Sequence, residues 1–318
     1  MAIIGTEDSA RNYLRQFILN YLSGSGLNPE MQYFTIKLLH GKGKIYNEAE
    51  DHFNWGEFSF YIGQFIGHEK NLVNQIGIAA GVELLLLASD IIDDLADGDR
   101  KGDIHKILGQ SKALILSNAL LTESVSLLLT HSSVPSGKQL LNVINNLRNA
   151  CNGQWSDLSF MIGETIPTEE DYFKLIDQKS VSFVRLIFGL YQADQDPILE
   201  ELATYIGFSG QLQNDVKDIL SDESNDLIYK KATLPLIKAI EYSMEKDQGW
   251  LQRKLKKLDP DLANQKLLDE IRSYIRSTGA IDYCIVLAKL YNNRAKQILT
   301  QNFPFKREYV EKIVNQLD

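Results

Sequence analysis

The chain has 318 residues, 33 basic and 42 acidic side chains, a net charge of −9 at pH 7, and 44% apolar and 24% charged residues. Such a composition supplies a sizeable globular core, while the acidic balance excludes broad contact with a nucleic-acid backbone, which needs a Lys/Arg-rich face. Only two cysteines occur, Cys151 and Cys284, outside any CxxC spacing, which excludes a disulfide framework or structural zinc and points to a reducing, cytoplasmic setting, membrane association being left open.

In chain order, the N-terminal MAIIGTEDSARNYL lacks the basic-then-apolar layout of a signal peptide. The apolar run Val82–Leu87 is interrupted by Glu83 and is far short of the ~20 residues that span a bilayer, so a transmembrane protein is not expected. Segment 82–96, VELLLLASDIIDDLA, is apolar around most of its circumference, which predicts a helix inside a bundle. Apolar residues recur at three- and four-residue spacing over 112–130 and 139–151, with the loop SSVPSG at 132–137 between them. Thr168-Glu169-Glu170-Asp171 after Pro167 predicts a helix start with an acidic first turn, and the periodicity runs on over 171–190. Asp196-Pro197 predicts an N-cap followed by proline at the first helical position, opening a helix over 198–220. Strict two-residue alternation is almost absent, as are repeats and long linkers. The expectation is one all-α domain over residues 1–318, a helical bundle of about ten or more helices.

Two acidic stripes interrupt these helices. Asp90, Asp93, Asp94 and Asp97 share one helical face. Like charges so spaced destabilise a helix by about 0.2–0.5 kcal/mol per pair, and in a dry core desolvation costs far more. The helix therefore either ends in water beside Gly98 or holds a cation; short, hard carboxylates suit Mg²⁺ completed by water and substrate phosphate. Gln211, Asp215, Asp218 and Asp222 form a second stripe, with Asn214 beside it. Alone it reads as a polar helix face; facing the first, it could grip Mg²⁺ ions and hence a diphosphate.

Basic groups that a diphosphate would want lie between and after the stripes: Arg100-Lys101, Lys179-Ser180 amid Ile176, Val181 and Phe183, and Lys230-Lys231 ahead of Ala232-Thr233-Leu234-Pro235. Each reads equally as surface solvation, Lys179 least so because it breaks an apolar face. Gly153-Gln154-Trp155-Ser156-Asp157 reads as a polar helical turn with a glycine for close packing. There is no GxSxG, HExxH or P-loop, and the five histidines lack ligand spacing.

Taken in order, these pieces resemble the polyprenyl synthetase (trans-isoprenyl diphosphate synthase) family. Asp93-Asp94-Leu95-Ala96-Asp97 resembles its first Asp-rich motif, with Glu83 ten residues ahead, and Arg100-Lys101-Gly102 the RRG that follows. Gly153-Gln154-x-x-Asp157 resembles GQxxD, and Lys179-Ser180 the Lys-Thr pair. Gln211 to Asp218 resembles FQxxDDxxD with Asn214 replacing the first Asp, and Asn225-Asp226-Leu227 through Lys231-x-Thr233-Leu234-Pro235 resembles SDLxxGKxTLP. The likeness covers roughly residues 35–240.

The resemblance implies an isoprenoid-synthase bundle with a central active-site cavity. It implies Mg²⁺ at Asp93, Asp94, Asp97, Asp215 and Asp218, and a diphosphate held by Arg100, Lys179, Gln211 and Lys231. The catalytic set would be Asp93, Asp97, Lys179 and Asp215. Two departures stand out. The family's GGKRxRP-like segment is here His40-Gly41-Lys42-Gly43-Lys44-Ile45-Tyr46, without arginine, and the His/Gln three residues after Glu83 is Leu86. Loss of arginine's bidentate fork is not conservative for a diphosphate, so an acceptor other than isopentenyl diphosphate is expected. That combination is similar to the ComQ-type isoprenyl transferases of bacilli. They imply a farnesyl or geranyl diphosphate donor, a tryptophan in a pheromone precursor peptide as acceptor, a role in quorum sensing and competence, and a homodimer. Ala88 and Ser89, small residues ahead of Asp93, leave room for a farnesyl chain. The alternatives are a short-chain polyprenyl diphosphate synthase, a class I terpene cyclase using Asn214-Asp215-x-x-Asp218-x-x-x-Asp222, and a non-catalytic subunit. Segment 241–318 carries no motif.

Overall fold

A computed structural model describes residues 7–48, 53–66, 71–96, 107–131, 137–163, 165–191, 196–222, 224–259 and 264–317. Helices α1 (Glu7–Gly24), α2 (Pro29–Leu38), α3 (Trp55–Ile66), α4 (Leu72–Ala96), α5 (Gln110–His131) and α6 (Gly137–Asp157) come first. A helix α7 (Glu169–Ile176) then passes through a π-turn, Asp177–Val181, into α8 (Ser182–Tyr191). The remainder is α9 (Pro197–Leu220), α10 (Asn225–Ile228), α11 (Leu234–Lys246), α12 (Trp250–Leu255), α13 (Gln265–Ser277), α14 (Ala280–Asn302) and α15 (Arg307–Gln316). Among the described residues there is no strand, only an isolated bridge between Met161 and Lys231. The all-α expectation is borne out.

Local chemistry sets the helix starts. Thr168 Oγ1 accepts from the Asp171 N–H at 3.1 Å while Asp171 Oδ2 accepts from the Thr168 N–H at 3.0 Å, a closed capping box that opens α7. Asp196 Oδ1 accepts from the Ile198 N–H at 2.9 Å and Pro197 takes the first helical position, opening α9. Both starts fall where the sequence placed them. At its other end α9 stops at Leu220, because Ser221 turns to extended backbone (ψ 142°).

The chain divides into two compact units. One comprises Met1–Ile144, Leu186–Gln195 and Leu299–Asp318, the other Asn145–Arg185 and Asp196–Ile298. In the first, α4 is buried on all sides from Gln75 to Ala88 and packs against α3 and α5, which meets the expectation for 82–96 in its first half; beyond Ala88 only Ile91 is buried. Buried Ser124 and Ser117 on α5 donate to the Gly81 and Ala88 carbonyls of α4, each at 2.8 Å, so the polar groups that enter this core are satisfied. In the second unit, Leu212, Ile219, Leu234, Ile237, Ile240 and Ile271 centre a core drawn from α9, α11 and α13. Each such side chain stabilises by about 1.5–3 kcal/mol.

Helices α4 and α5 are both long and apolar enough to cross a membrane by length and composition, which the short run Val82–Leu87 did not suggest. The apolar window of α4 is 83% buried and that of α5 39%, so α4 spends its apolar surface on the protein core.

Candidate active site

In the first unit, the last turns of α4 bring Asp90, Asp93 and Asp94 to a cavity of about 390 Å³ that Lys37, Lys42 and Lys44 also line. The rest of its wall is apolar, with Phe34 and Leu38 from α2 and Leu87 and Ile91 from α4. Lys44 forms an ion pair with Asp90. Burial works to lower the Lys44 pKa, but Asp90, Glu83 and Asp94 together hold it above the ordinary lysine value. Asp97, expected to end this stripe, and Arg100, expected to bind the diphosphate, lie outside the described residues.

Glu83 serves this cavity from behind. Its carboxylate is fully buried and accepts from the Ile45 N–H at 3.0 Å and the Gly56 N–H at 2.8 Å. It thus ties the 40–46 segment and the start of α3 to α4. Burial pushes its pKa up to about 7, against the opposing pull of Lys44 and the two backbone donors.

The second unit builds a denser polar site. Gly153 on α6 lets the π-turn come close, since a Cβ there would sit 2.4 Å from the Lys179 nitrogen. From that π-turn, Lys179 Nζ reaches Asp157 Oδ2 at 2.7 Å, and neighbouring Ser180 Oγ donates to Gln211 Oε1 on α9 at 2.6 Å. Single-turn π insertions are frequent at functional sites because they re-aim successive side chains. Gln211 Nε2 in turn donates to Asp215 Oδ1, and Tyr172 OH from α7 donates to Asp215 Oδ2, both at 2.7 Å. Lys231 Nζ lies 3.5 Å from the same Asp157 oxygen that holds Lys179. Its backbone is locked by Ile162 N–H donating to the Lys230 carbonyl (2.8 Å) and Ala232 N–H to the Phe160 carbonyl (2.9 Å), with Lys230 left-handed at φ 57°.

Two carboxylates in this unit are pushed up by burial. Burial raises the Asp215 pKa to about 6, moderated by the Tyr172 and Gln211 hydrogen bonds. Asp226 is also raised, by burial first and then by Asp218 and Asp215. Asp218 Oδ1 accepts from the Ser224 hydroxyl and, at 3.2 Å, from the Asp226 N–H.

The residues singled out from sequence in the second unit, Lys179, Gln211, Asp215, Asp218 and Lys231, thus come together, with Asp157 between the two lysines. Asp157 had no role assigned beforehand, and neither had two further participants. Tyr172 looked like one more apolar-face residue of the 171–190 pattern, and Asp226 was visible only inside the motif that resembles SDL. Asp222, the last member of the second stripe, leaves it: the helix has ended, the side chain is 92% exposed and lies 3.5 Å from Arg272 Nη1.

Among the described residues, no three Asp, Glu, His or Cys side chains converge closely enough to hold a metal ion by themselves. Paired carboxylates short of a complete cage fit Mg²⁺, which uses one or two protein carboxylates and fills its octahedron with water and substrate phosphate.

Comparison with known proteins agrees with this chemistry. The model of the polyprenyl synthetase family matches residues 56–272, more than half of the chain. It starts beyond the arginine-free 40–46 segment and extends further toward the C-terminus than the motifs did. The chain is 27% identical over 241 residues to the short chain isoprenyl diphosphate synthase of Methanothermobacter thermautotrophicus, covering 70% of this chain and 72% of that protein. It is 27% identical over 251 residues to the tryptophan prenyltransferase ComQ of Bacillus subtilis subsp. natto, covering 75% and 73%. The geranylgeranyl pyrophosphate synthase of Lactobacillus brevis shares the fold, with a TM-score of 0.79 at 17% identity over 98% of each chain. The chain belongs to the polyprenyl synthetase family and is a transferase of prenyl groups.

Proposed function

We propose that this enzyme moves a farnesyl or geranyl group from its allylic diphosphate to a tryptophan of a precursor peptide, in the maturation of a quorum-sensing pheromone. The observation that carries the acceptor half is the 40–46 segment: it lines the first-unit cavity with lysines and no arginine, and Leu86, where a polar donor would be needed, is buried in the core. Similarity to a tryptophan prenyltransferase supports the same reading.

In this reading Lys179 and Lys231, together with Arg100, neutralise the leaving pyrophosphate, and Asp157 holds both lysines in position before the donor arrives. Gln211, fixed between Ser180 and Asp215, orients a phosphate oxygen. Asp93, Asp94, Asp97, Asp215 and Asp218 are the ligands assigned to Mg²⁺, which when bound supplies further positive charge to the diphosphate. Preplaced charge of this kind is where such a site obtains most of its rate. The allylic C–O bond breaks heterolytically, its electron pair leaving with pyrophosphate. Indole C3 of the tryptophan attacks the allylic carbon, and the indolium is quenched by closure of the peptide nitrogen with loss of its proton. Apolar walls keep water from the cation. Ala88 and Ser89 present little bulk, so a farnesyl donor is accepted.

The test is mass spectrometry after incubating the purified protein with Mg²⁺ and farnesyl or geranyl diphosphate. Three acceptors are compared: none, isopentenyl diphosphate and a tryptophan-containing precursor peptide. A peptide heavier by one prenyl group supports the proposal. Elongated diphosphate would place the enzyme with the short-chain synthases it resembles equally, and cyclised hydrocarbon with the terpene cyclases. Use of geranyl but not farnesyl diphosphate would overturn the assignment of donor length.

A further inference from the structure

The first-unit cavity contains a charge arrangement that the transfer chemistry does not use. Of its three lysines, Lys37 and Lys42 are exposed, so their charge is screened by water. Lys44 is the enclosed one, its side chain 11% exposed, and its ammonium is already paired with Asp90, with Glu83 and Asp94 also acting on it. Asp90 is the carboxylate paired directly with this ammonium, and an ammonium so engaged offers less to a further anion.

Nor is the lysine free to swing away with its backbone. The next residue, Ile45, is held at both ends of its peptide: its N–H donates to Glu83 at 3.0 Å, and its carbonyl accepts from Arg15 Nε at 2.7 Å. Tyr46 N–H adds a bond to the Leu39 carbonyl at 2.9 Å. Asp90, by contrast, is 52% exposed and packs into no core, so it is the replaceable member of the pair.

Resting on the reading above, we infer that Asp90 is a specificity-determining residue: by engaging Lys44 it bars a second diphosphate from this cavity and leaves the space lined by Phe34, Leu38, Leu87 and Ile91 to an uncharged aromatic acceptor. Those four side chains give an otherwise charged cavity an apolar wall that suits a flat ring, whereas a second diphosphate would meet Asp90, Asp93 and Asp94 with the one enclosed ammonium already engaged.

Equilibrium binding of isopentenyl diphosphate tests it in the full chain, with Mg²⁺ and saturating farnesyl thiolodiphosphate present so that the donor position is occupied. Asp90→Asn should tighten isopentenyl diphosphate by about tenfold or more relative to wild type, the value of one charge-assisted hydrogen bond regained. Asp90→Asn combined with Lys44→Gln should abolish that gain. Equal affinity in wild type and Asp90→Asn, or a gain that survives the loss of Lys44, overturns the inference. The binding result does not depend on the peptide, so absence of tryptophan transfer would sink the proposed acceptor while an Asp90 effect that requires Lys44 still established the exclusion of diphosphate.

Discussion

The two units hold their charged groups by opposite means. In the second, Ser180, Gln211, Asp215 and Tyr172 are linked side chain to side chain from three stretches of helix, and Asp157 ties Lys179 to Lys231. In the first, Asp93 and Asp94 stand at the edge of a cavity, with one lysine bound to Asp90 and one buried glutamate bracing the segment from behind. A satisfied buried network is rigid and has its reorganisation done in advance. An open cavity edge leaves room for what a ligand brings. One region holds its polar groups in a fixed arrangement, the other leaves space at its edge.

The sharpest way to break this comparison is to remove one member from each side. Asp93→Asn and Lys179→Ala should each lower prenyl transfer by about 10²–10³-fold at saturating donor, read as pyrophosphate release with folding checked by circular dichroism. A loss below about tenfold would strike that residue from the site.

Next in size is Glu83. Its folded pKa of about 7 lies above the ordinary 4.5, so the folded state binds its proton more tightly than the unfolded. The stability this contributes is complete below pH 4.5 and is lost as pH rises through 7. Glu83→Gln should therefore flatten the fall in unfolding free energy across that window, by roughly 3 kcal/mol, in denaturant titrations at several pH values. An unchanged slope would show that the buried carboxylate is not what titrates there.

Gly153→Ala places a Cβ against the backbone of Lys179, where nothing flexible can yield. A cost of about 1–3 kcal/mol is expected, together with a lower kcat at little change in donor KM as Lys179 is displaced. The smallest effect should come from Tyr172→Phe, about 1 kcal/mol of stability for the lost hydrogen bond to Asp215. That bond favours the ionised form, so the Asp215 pKa should climb further above 6, visible by NMR titration of the carboxyl carbon.

Much of the fold was legible in advance. The run VELLLLASDIIDDLA is buried as expected through Ala88, while beyond it only Ile91 is, and Thr168 and Asp196 announced their helices through caps that act within three residues. The site was legible as a set of residue types but not as a set of partners. Asp222 fits the helical spacing of Gln211 and Asp215 yet points into solvent, because the helix has ended before it. Lys44 and Asp90 were both conspicuous, one in a segment lacking arginine and one in an acidic stripe, and nothing in their spacing paired them. Tyr172 matched the apolar periodicity of its helix while its hydroxyl served a carboxylate on another.

Periodicity, caps and charge belong to segments of a few residues, where backbone hydrogen bonding and side-chain spacing decide the outcome, so the all-α class, the buried α4 and the family motifs were determined by sequence alone. Asp157 between Lys179 and Lys231, the close approach that Gly153 allows and the capture of Lys44 by Asp90 join residues 22 or more positions apart. They depend on how each helix is rotated and how closely it packs. Only the tertiary structure could decide them, because those rotations are set by the summed burial of side chains that carry no chemistry of their own.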